Sequence, residues 1–325
     1  MKILHISDIH GDIPALTTVK DYAAKKKDLD LIVCSGDHLG QCLSAEEGRN
    51  EHTAFSFVQD FIANNLRVEG EGDITFSDIL REILTREEVP KPVKSAATAH
   101  VELVKKFDEN AEKQYEEIAD IFEQFPQRVL TVPGNWDSLH YFKFLQKYDI
   151  HGETREVGGI KFSGYGSANM IPIYLPYARY INYSGDELHD FLVDEDPDVA
   201  VTHVAPRKLQ DKGSIRDHDG DAMYLAYVRA EAPMLCLVGH SHEARGIGKD
   251  KYQGTYVINS GNLGKYEGSP SSKTFYEIEL TPKGIVSAIP YKILSGEVMR
   301  DKFVDSINGE GEVDKKVNSS VIEVP

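Results

Sequence analysis

The chain has 325 residues, of which 41% are hydrophobic and 9% aromatic, so we expect one large domain, or one domain with an insertion. Its formal net charge of −17 argues against nucleic acid or an anionic membrane as the default partner. The three cysteines, Cys34, Cys42 and Cys236, have neither the number nor the spacing of a disulfide framework or a zinc ribbon.

The chain starts with MKILHISDIHGD, an apolar strand pattern without the charged segment and apolar core of a signal peptide. No apolar stretch approaches the roughly 20 residues that span a bilayer. We therefore predict a cytoplasmic protein without a membrane partner.

Short apolar runs that close on Gly, Asp, Asn or His recur along the chain, as buried strands do. Helix-like segments, such as 14–26 and 185–192, lie between several of them, which predicts an α/β layer architecture. The predicted strands are MKILHIS, LDLIVCS, RVLTVP, IKFSGYG, VAVTHV, MLCLVG, YVINSG and TFYEIEL.

The interval 40–125 is different, because it is charged, helix-periodic and without strand patterns. Within it, 96–125 predicts one long amphipathic helix. We interpret the interval as a helical insertion that is either a cap over the site or an oligomer face. The apolar stripe of the long helix consists of Val101, Val104, Phe107, Ala111, Tyr115, Ile118 and Phe122.

The chain is predicted to form a single domain over 1–295, including the insertion. One or two further strands follow residue 284. The remainder, 296–325, is interpreted as a polar C-terminal extension that is partly disordered.

Metal-ligating side chains follow five of the predicted strands. Asp8 and His10 stand two residues apart, and period-two alternation points both the same way, so they can converge on one metal. Ligands gather at the carboxyl ends of strands in open α/β folds. We therefore predict one metal site formed by Asp8, His10, Asp37, Asn135, His203, His240 and His242.

Seven oxygen and nitrogen ligands are too many for one tetrahedral zinc and suit two divalent ions that share a carboxylate. Asp37 is the natural bridge, because only a carboxylate has two oxygens to share. Glycines at 36, 134 and 239 permit the tight turns that place ligands beyond their strands.

The order DxH, GD, GN, H, GHxH, from Asp8 to His242, resembles the calcineurin-like metallophosphoesterase superfamily, in its small phosphodiesterase type. The resemblance implies a four-layer α/β/β/α sandwich. It assigns Asp8, His10, Asp37 and His242 to a first metal, and Asp37, Asn135, His203 and His240 to a second. It implies two divalent ions, which are Mn, Fe, Zn or Ni in the family.

The resemblance also implies hydrolysis of a phosphate ester by a hydroxide held between the ions, with Asp37, Asn135 and His203 as catalytic residues and no protein nucleophile. We predict a metal-dependent phosphoesterase that acts on a small soluble phosphodiester. The alternatives are a catalytically weak or inactive metal-binding scaffold, as in a retromer subunit of the superfamily, and a nuclease, which fits the net charge poorly. The insertion is the candidate surface for oligomer formation.

One position departs from the family pattern. Many active members read GNH followed by Asp or Glu, whereas this chain reads GNWD at 134–137. An indole N–H cannot deliver a proton at neutral pH. We therefore expect lost general-acid help, a replacement acid from His38 or His140, or a non-catalytic role.

Other side chains are candidates for contact with a substrate. Trp136 is either a stacking platform for a planar group or a side chain that packs under the insertion. Arg207 and Lys208 follow His203 closely and are candidate phosphate contacts. The candidate substrate contacts are Trp136, Asp137, Arg207, His38 and His140.

Overall fold

The computed structural model describes residues 1–65, 76–170, 172, 175–213, 217–264, 273–302, 304–308 and 312–314. Short buried strands alternate with helices through most of the chain. The elements run β1 (Lys2–Ile6), α1 (Ile13–Ala24), β2 (Leu31–Cys34), α2 (Ala45–Asn65), α3 (Phe76–Thr85), α4 (Lys91–Gln124), β3 (Arg128–Thr131), α5 (Tyr141–Leu145), β4 (Glu153–Val157), β5 (Ile160–Tyr165), α6 (Gly185–Glu195), β6 (Val199–Thr202), α7 (Ala222–Glu231), β7 (Leu235–Val238), β8 (Gly246–Lys249), β9 (Tyr256–Asn259), β10 (Thr274–Thr281), β11 (Gly284–Leu294), β12 (Glu297–Arg300), β13 (Ser306–Ile307) and β14 (Val313–Asp314).

Within the described residues the strands form two sheets. The first has the order β14-β13-β11-β10-β1-β2-β3, and β12 pairs with β11. Its β1, β2 and β3 are parallel neighbours. The second sheet has the order β4-β5-β6-β7-β9-β8, with β5, β6, β7 and β9 parallel. Parallel strands end at the same edge of a sheet, so the loops after β1, β2 and β3, and those after β6 and β7, can share one site.

Alternating side chains divide the strands between two cores. Ile3 and Leu31 join Val199 and Leu235 of the second sheet in one apolar cluster, which lies between the sheets. Leu4 and its neighbours on the other face pack against α1, α4 and α5. On the far side of the second sheet, α6 and α7 cover another cluster. The predicted four-layer α/β/β/α sandwich is therefore confirmed.

The interval predicted as a helical insertion contains α2, α3 and α4. The N-terminal part of α4 shares a small core with α2 and α3, which includes Val58, Ile83 and Val93. Its C-terminal part instead packs on the first sheet through Phe107, Tyr115 and Phe122. Half of the longest helix is thus part of a main layer rather than a cap.

The predicted apolar stripe of α4 is correct at six positions and wrong at Val101, which is 41% exposed. The helix begins at Lys91 rather than near residue 96, and His100 occupies the buried position that precedes Val104. Val101 lies one residue, or about 100° of helix rotation, off that stripe.

The prediction of a polar C-terminal extension is corrected for its described part, because β12, β13 and β14 extend the first sheet. Asp301 is buried and accepts a hydrogen bond from Arg245 Nη2 at 2.7 Å. Residues 315–325 of the predicted extension lie outside the described residues. No described helix combines the length and the apolar character needed to cross a membrane.

Candidate metal centre

The loops that follow the parallel strands are bonded to one another through their backbones. Asp8 N donates to Gly36 O at 2.9 Å, and His10 N donates to Asp37 O at 3.0 Å. Positive φ angles, which are costly for residues other than glycine, mark four predicted ligands. Such strain persists where the surrounding structure enforces it, commonly at functional sites. The four are Asp8 (53°), His10 (46°), Asp37 (54°) and His240 (63°).

A first group of ligand atoms is formed by Asp8, His10 and His242. His242 Nε2 lies 3.0 Å from Asp8 Oδ1 and 3.2 Å from His10 Nε2. His10 Nε2 lies 3.8 Å from the same carboxylate oxygen. One donor atom from each residue lies within 4.8 Å of the others, so these three could hold one metal ion.

A second group surrounds the amide oxygen of Asn135. His203 Nε2 and His240 Nδ1 each lie 2.9 Å from Asn135 Oδ1. The amide nitrogen donates to Met170 O at 3.0 Å, which directs the oxygen towards the two imidazoles. Asp8, Asp37 and His203 also satisfy the spacing of a metal-binding group.

Asp37 lies between the two groups. Its Oδ2 is 3.9 Å from His10 Nε2 and its Oδ1 is 3.4 Å from His203 Nε2. The backbone N–H of Trp136 donates to Oδ1 at 2.7 Å and fixes the carboxylate. This placement of one oxygen towards each group is what a bridging ligand requires.

Backbone carbonyls set the tautomers of two ligands. His10 Nδ1 donates to Leu39 O at 3.4 Å, and His203 Nδ1 donates to Ser35 O at 2.8 Å. Because a carbonyl only accepts, each ring carries its proton on Nδ1 and presents Nε2 to the site. Such outer contacts are typical of metal-binding histidines.

Two glycines allow the ligand loops to approach each other. A Cβ at Gly134 would collide with the Asp37 carboxylate, and a Cβ at Gly239 would collide with Ser7 Oγ and approach Asp8. The absence of a side chain at these positions therefore permits the close packing of the loops.

The charges of the site favour a cation. Burial raises the pKa of Asp8, but His242 and other histidines outweigh burial, so that its pKa lies below its usual range. Burial lowers the pKa of His203, but Asp37 and Asp8 outweigh it and raise this pKa to about 9. Burial and the neighbouring His203 lower the pKa of His240 to about 4.

The donor set fits two divalent cations. Carboxylate, amide and imidazole donors are buried or half-buried at contact distances, and two imidazole nitrogens face each other. A cation would neutralise the carboxylates and accept the converging lone pairs. The structure brings all seven predicted ligands together, and their division between two ions stays a prediction.

Trp136 is half-buried beside the first group, where its ring meets the His10 ring edge-on at a centroid distance of 5.1 Å. The indole thus borders the metal centre itself. Its contact with a predicted ligand is compatible with both predicted roles, a stacking platform and a side chain packed under the insertion.

Asp137, a predicted substrate contact, is instead paired with His38. Asp137 Oδ2 lies 2.8 Å from His38 Nδ1, and its oxygens also accept from Gly134 N and Tyr115 Oη. His38 Nε2 lies 2.8 Å from Thr131 Oγ1, and the ring is 0% exposed. Because the pair is buried behind the ligand loops, neither residue is placed to contact a substrate.

His140 is committed to another contact. Its Nε2 lies 3.1 Å from Asp108 Oδ1 and its Nδ1 lies 3.3 Å from Glu112, both on α4. Arg179 also binds Asp108, at 2.7 Å. This network joins α4 to the loop before α5, so the prediction of a replacement acid from His140 is corrected to a structural role.

Arg207 is exposed and lines a cavity of 240 Å³ together with His240. Its predicted role as a phosphate contact therefore has a suitable location. The same cavity is lined by His218, which the sequence reasoning missed. The DHD sequence at 217–219 offers no distinctive spacing, and its carboxylate partner Asp211 lies seven residues away.

Residues 1–70 match the family model of calcineurin-like phosphoesterases, a segment that contains Asp8, His10 and Asp37. One solved structure is 15% identical, with a TM-score of 0.51, over 92% of this chain and 98% of its own length. A protein of Thermus thermophilus is 11% identical over 92% and 97%, with a TM-score of 0.46. Vacuolar protein sorting 29 of Cryptosporidium parvum is 10% identical over 92% and 95%, with a TM-score of 0.38.

Comparison with curated proteins gave no match. The fold is that of the calcineurin-like metallophosphoesterases, and the resemblance predicted from the ligand order is confirmed. The first 70 residues carry the sequence signature of that family of phosphoesterases.

Proposed function

We propose that this protein is a metal-dependent phosphoesterase that hydrolyses a small phosphodiester. The convergence of seven candidate ligand side chains, with Asp37 between the other six, carries this proposal, because a scaffold has no need of strained, buried ligands. Four ligands with positive φ represent a conformational cost on the order of 1–3 kcal/mol each.

Some residues of the site would bind the metal ions, and others would bind the substrate. One ion would be held by Asp8, His10 and His242. The other ion would be held by Asn135, His203 and His240. Asp37 would bind both ions. The ions would supply an activated water and charge stabilisation at the phosphoryl oxygens. Arg207, on the wall of the adjoining cavity, is suited to pair with an anionic oxygen of the ester.

The preference for a diester rests on the character of the site next to the ions. Trp136 occupies the position where many relatives carry a histidine, and the cavity beside His240 offers room for an organic group. A diester places one such group on each side of phosphorus, whereas a monoester places only one.

Hydrolysis of activated esters tests the proposal. Protein stripped by a chelator is supplied with manganese, nickel, zinc or iron and assayed with bis-p-nitrophenyl phosphate and p-nitrophenyl phosphate. We expect metal-dependent turnover that favours the diester. Asp37→Asn should lower it by at least about 10²-fold, because loss of the bridge removes several kcal/mol of transition-state stabilisation.

Asp186→Asn is the matched control, because Asp186 is an exposed carboxylate on α6 that is neither a predicted ligand nor one of the residues that line the cavity. It should retain wild-type turnover. If the protein binds two ions per chain but hydrolyses neither ester with any of the metals, the proposal is contradicted and the metal-binding scaffold is favoured. Turnover of single-stranded DNA in preference to small diesters would favour the nuclease, against the net charge of −17.

A further inference from the structure

The cavity next to the metal centre has two different walls. One wall is formed by His240, a predicted metal ligand, and the other by the loop between β6 and α7, which carries Arg207 and His218. His218 and His240 therefore line the same cavity of 240 Å³.

His218 is held by a carboxylate that is itself fixed. His218 Nδ1 lies 3.0 Å from Asp211 Oδ1. Asp211 is 3% exposed, and its Oδ2 accepts backbone hydrogen bonds from Lys208 at 2.8 Å and Gly220 at 3.2 Å. The carboxylate therefore keeps its position while the imidazole changes its protonation.

The other ring nitrogen of His218 is available. The side chain is 39% exposed, and Nε2 makes no hydrogen bond to a protein atom in the described part of the chain. An exposed histidine that lines a cavity and is bonded to a buried carboxylate through Nδ1 has the arrangement of a general acid or base.

We propose that His218 is the general acid that protonates the leaving oxygen of the substrate, and that Asp211 positions it. This inference rests on the proposed phosphoesterase function. His218 would supply, from the loop between β6 and α7, the acid that Trp136 cannot provide.

The proton balance of the step is simple. Water forms the new P–O bond and loses a proton to solvent. The ester P–O bond breaks, its electron pair moves to the leaving oxygen, and the Nε2 proton of His218 joins that oxygen to give an alcohol or a phenol. The neutral imidazole then regains a proton from solvent.

The charged groups around the cavity suit this role. Asp211 bonds His218 directly, and Asp219 and Asp221 line the same cavity. Arg207 is the opposing cation and can pair with phosphate. Burial raises the pKa of Tyr183, so its hydroxyl lines the cavity as a neutral group.

The test is a series of methyl aryl phosphates, from p-nitrophenyl to phenyl, assayed with the wild-type holoenzyme and with His218→Gln. A good leaving group needs no acid, whereas a poor one does. We expect the variant to hydrolyse the p-nitrophenyl ester within about threefold of wild type and the phenyl ester about 10²-fold more slowly. His218→Ala should show the same pattern.

His189→Gln is the matched control, because His189 also lies beside an aspartate, Asp190, at 3.1 Å, but on α6. It should leave both rates unchanged. Asp211→Asn should slow the phenyl ester selectively and leave the p-nitrophenyl ester near the wild-type rate, because an amide holds the imidazole less firmly than a carboxylate does.

The outcomes separate the two proposals. Equal losses on both esters in the His218 variants would overturn the role as acid and leave the phosphoesterase function standing. A wild-type protein that hydrolyses no ester with any metal would overturn both. A selective loss on the phenyl ester, with wild-type control rates, supports the assignment.

Discussion

Two histidine–aspartate pairs near the candidate metal centre have different surroundings. Behind the ligand loops, His38 and Asp137 are 2.8 Å apart, and both nitrogens of the histidine are engaged. At the cavity, His218 and Asp211 are 3.0 Å apart, and the imidazole side chain is 39% exposed. Of these two pairs, one is therefore a support and the other contains a candidate catalytic group.

The difference shows that access, rather than composition, decides what a histidine can do. Burial lowers the pKa of His38, but Asp137 outweighs burial and holds this pKa well above its usual range. A charged pair enclosed by Phe122, Tyr141 and Thr131 has no path to a substrate. It instead fixes the loop that carries Asn135.

The largest expected effect is the loss of stability when the buried histidine–aspartate pair is disrupted. His38→Gln leaves the buried Asp137 without its cationic partner and should lower the free energy of unfolding by about 3–5 kcal/mol. His218→Gln should change it by less than about 0.5 kcal/mol, as at exposed sites. Urea unfolding followed by circular dichroism measures both, and similar losses would contradict the assignment of roles.

A smaller effect is expected for Tyr115, which supports the buried pair of His38 and Asp137. Tyr115 on α4 donates to Asp137 Oδ1 at 3.0 Å and accepts from Ser138 N at 2.9 Å. Tyr115→Phe should therefore cost about 1–3 kcal/mol of unfolding free energy. Tyr148→Phe is the control, because its hydroxyl has no hydrogen-bond partner among the described residues. Equal costs for the two would show that Tyr115 does not support the loop.

The smallest expected effect is a pH-dependent change in unfolding free energy. It concerns Asp149, a half-buried carboxylate bonded to Tyr141 beside His38. Burial raises the pKa of Asp149, which accepts from Tyr141 Oη, to about 6. A carboxyl with a raised folded pKa destabilises the fold when it ionises, so wild-type stability falls as pH rises from about 4 through 6. Asp149→Asn should gain about 1–2 kcal/mol at pH 8 and nothing near pH 4. Thermal unfolding at both pH values measures this, and a gain independent of pH would contradict it.

Much of the fold could be predicted from local pattern. The apolar runs predicted strands correctly because buried parallel strands are continuous in Val, Ile and Leu. The long helix was predicted from its period, whereas the exposure of Val101 depended on which side α2 approaches. The strands after residue 296 were missed, because short polar edge strands lack that apolar signal.

The convergence of the seven ligands was predictable, because strand order along the chain and the right-handed crossover rule bring consecutive strand ends to one edge. Asp211 and His218 were not predictable in this way. Their pairing depends on the path of a loop, and no periodicity in sequence encodes such a path.

The sequence by itself determined the α/β class, the candidate ligand residues and the departure at Trp136, since these depend on local spacing at strand ends. The tertiary structure alone decided that Asp137 pairs with His38 in the core, and that His218 faces the cavity beside His240. Burial and direction of approach are set by packing between distant segments, and packing decides which of several histidines can reach a substrate.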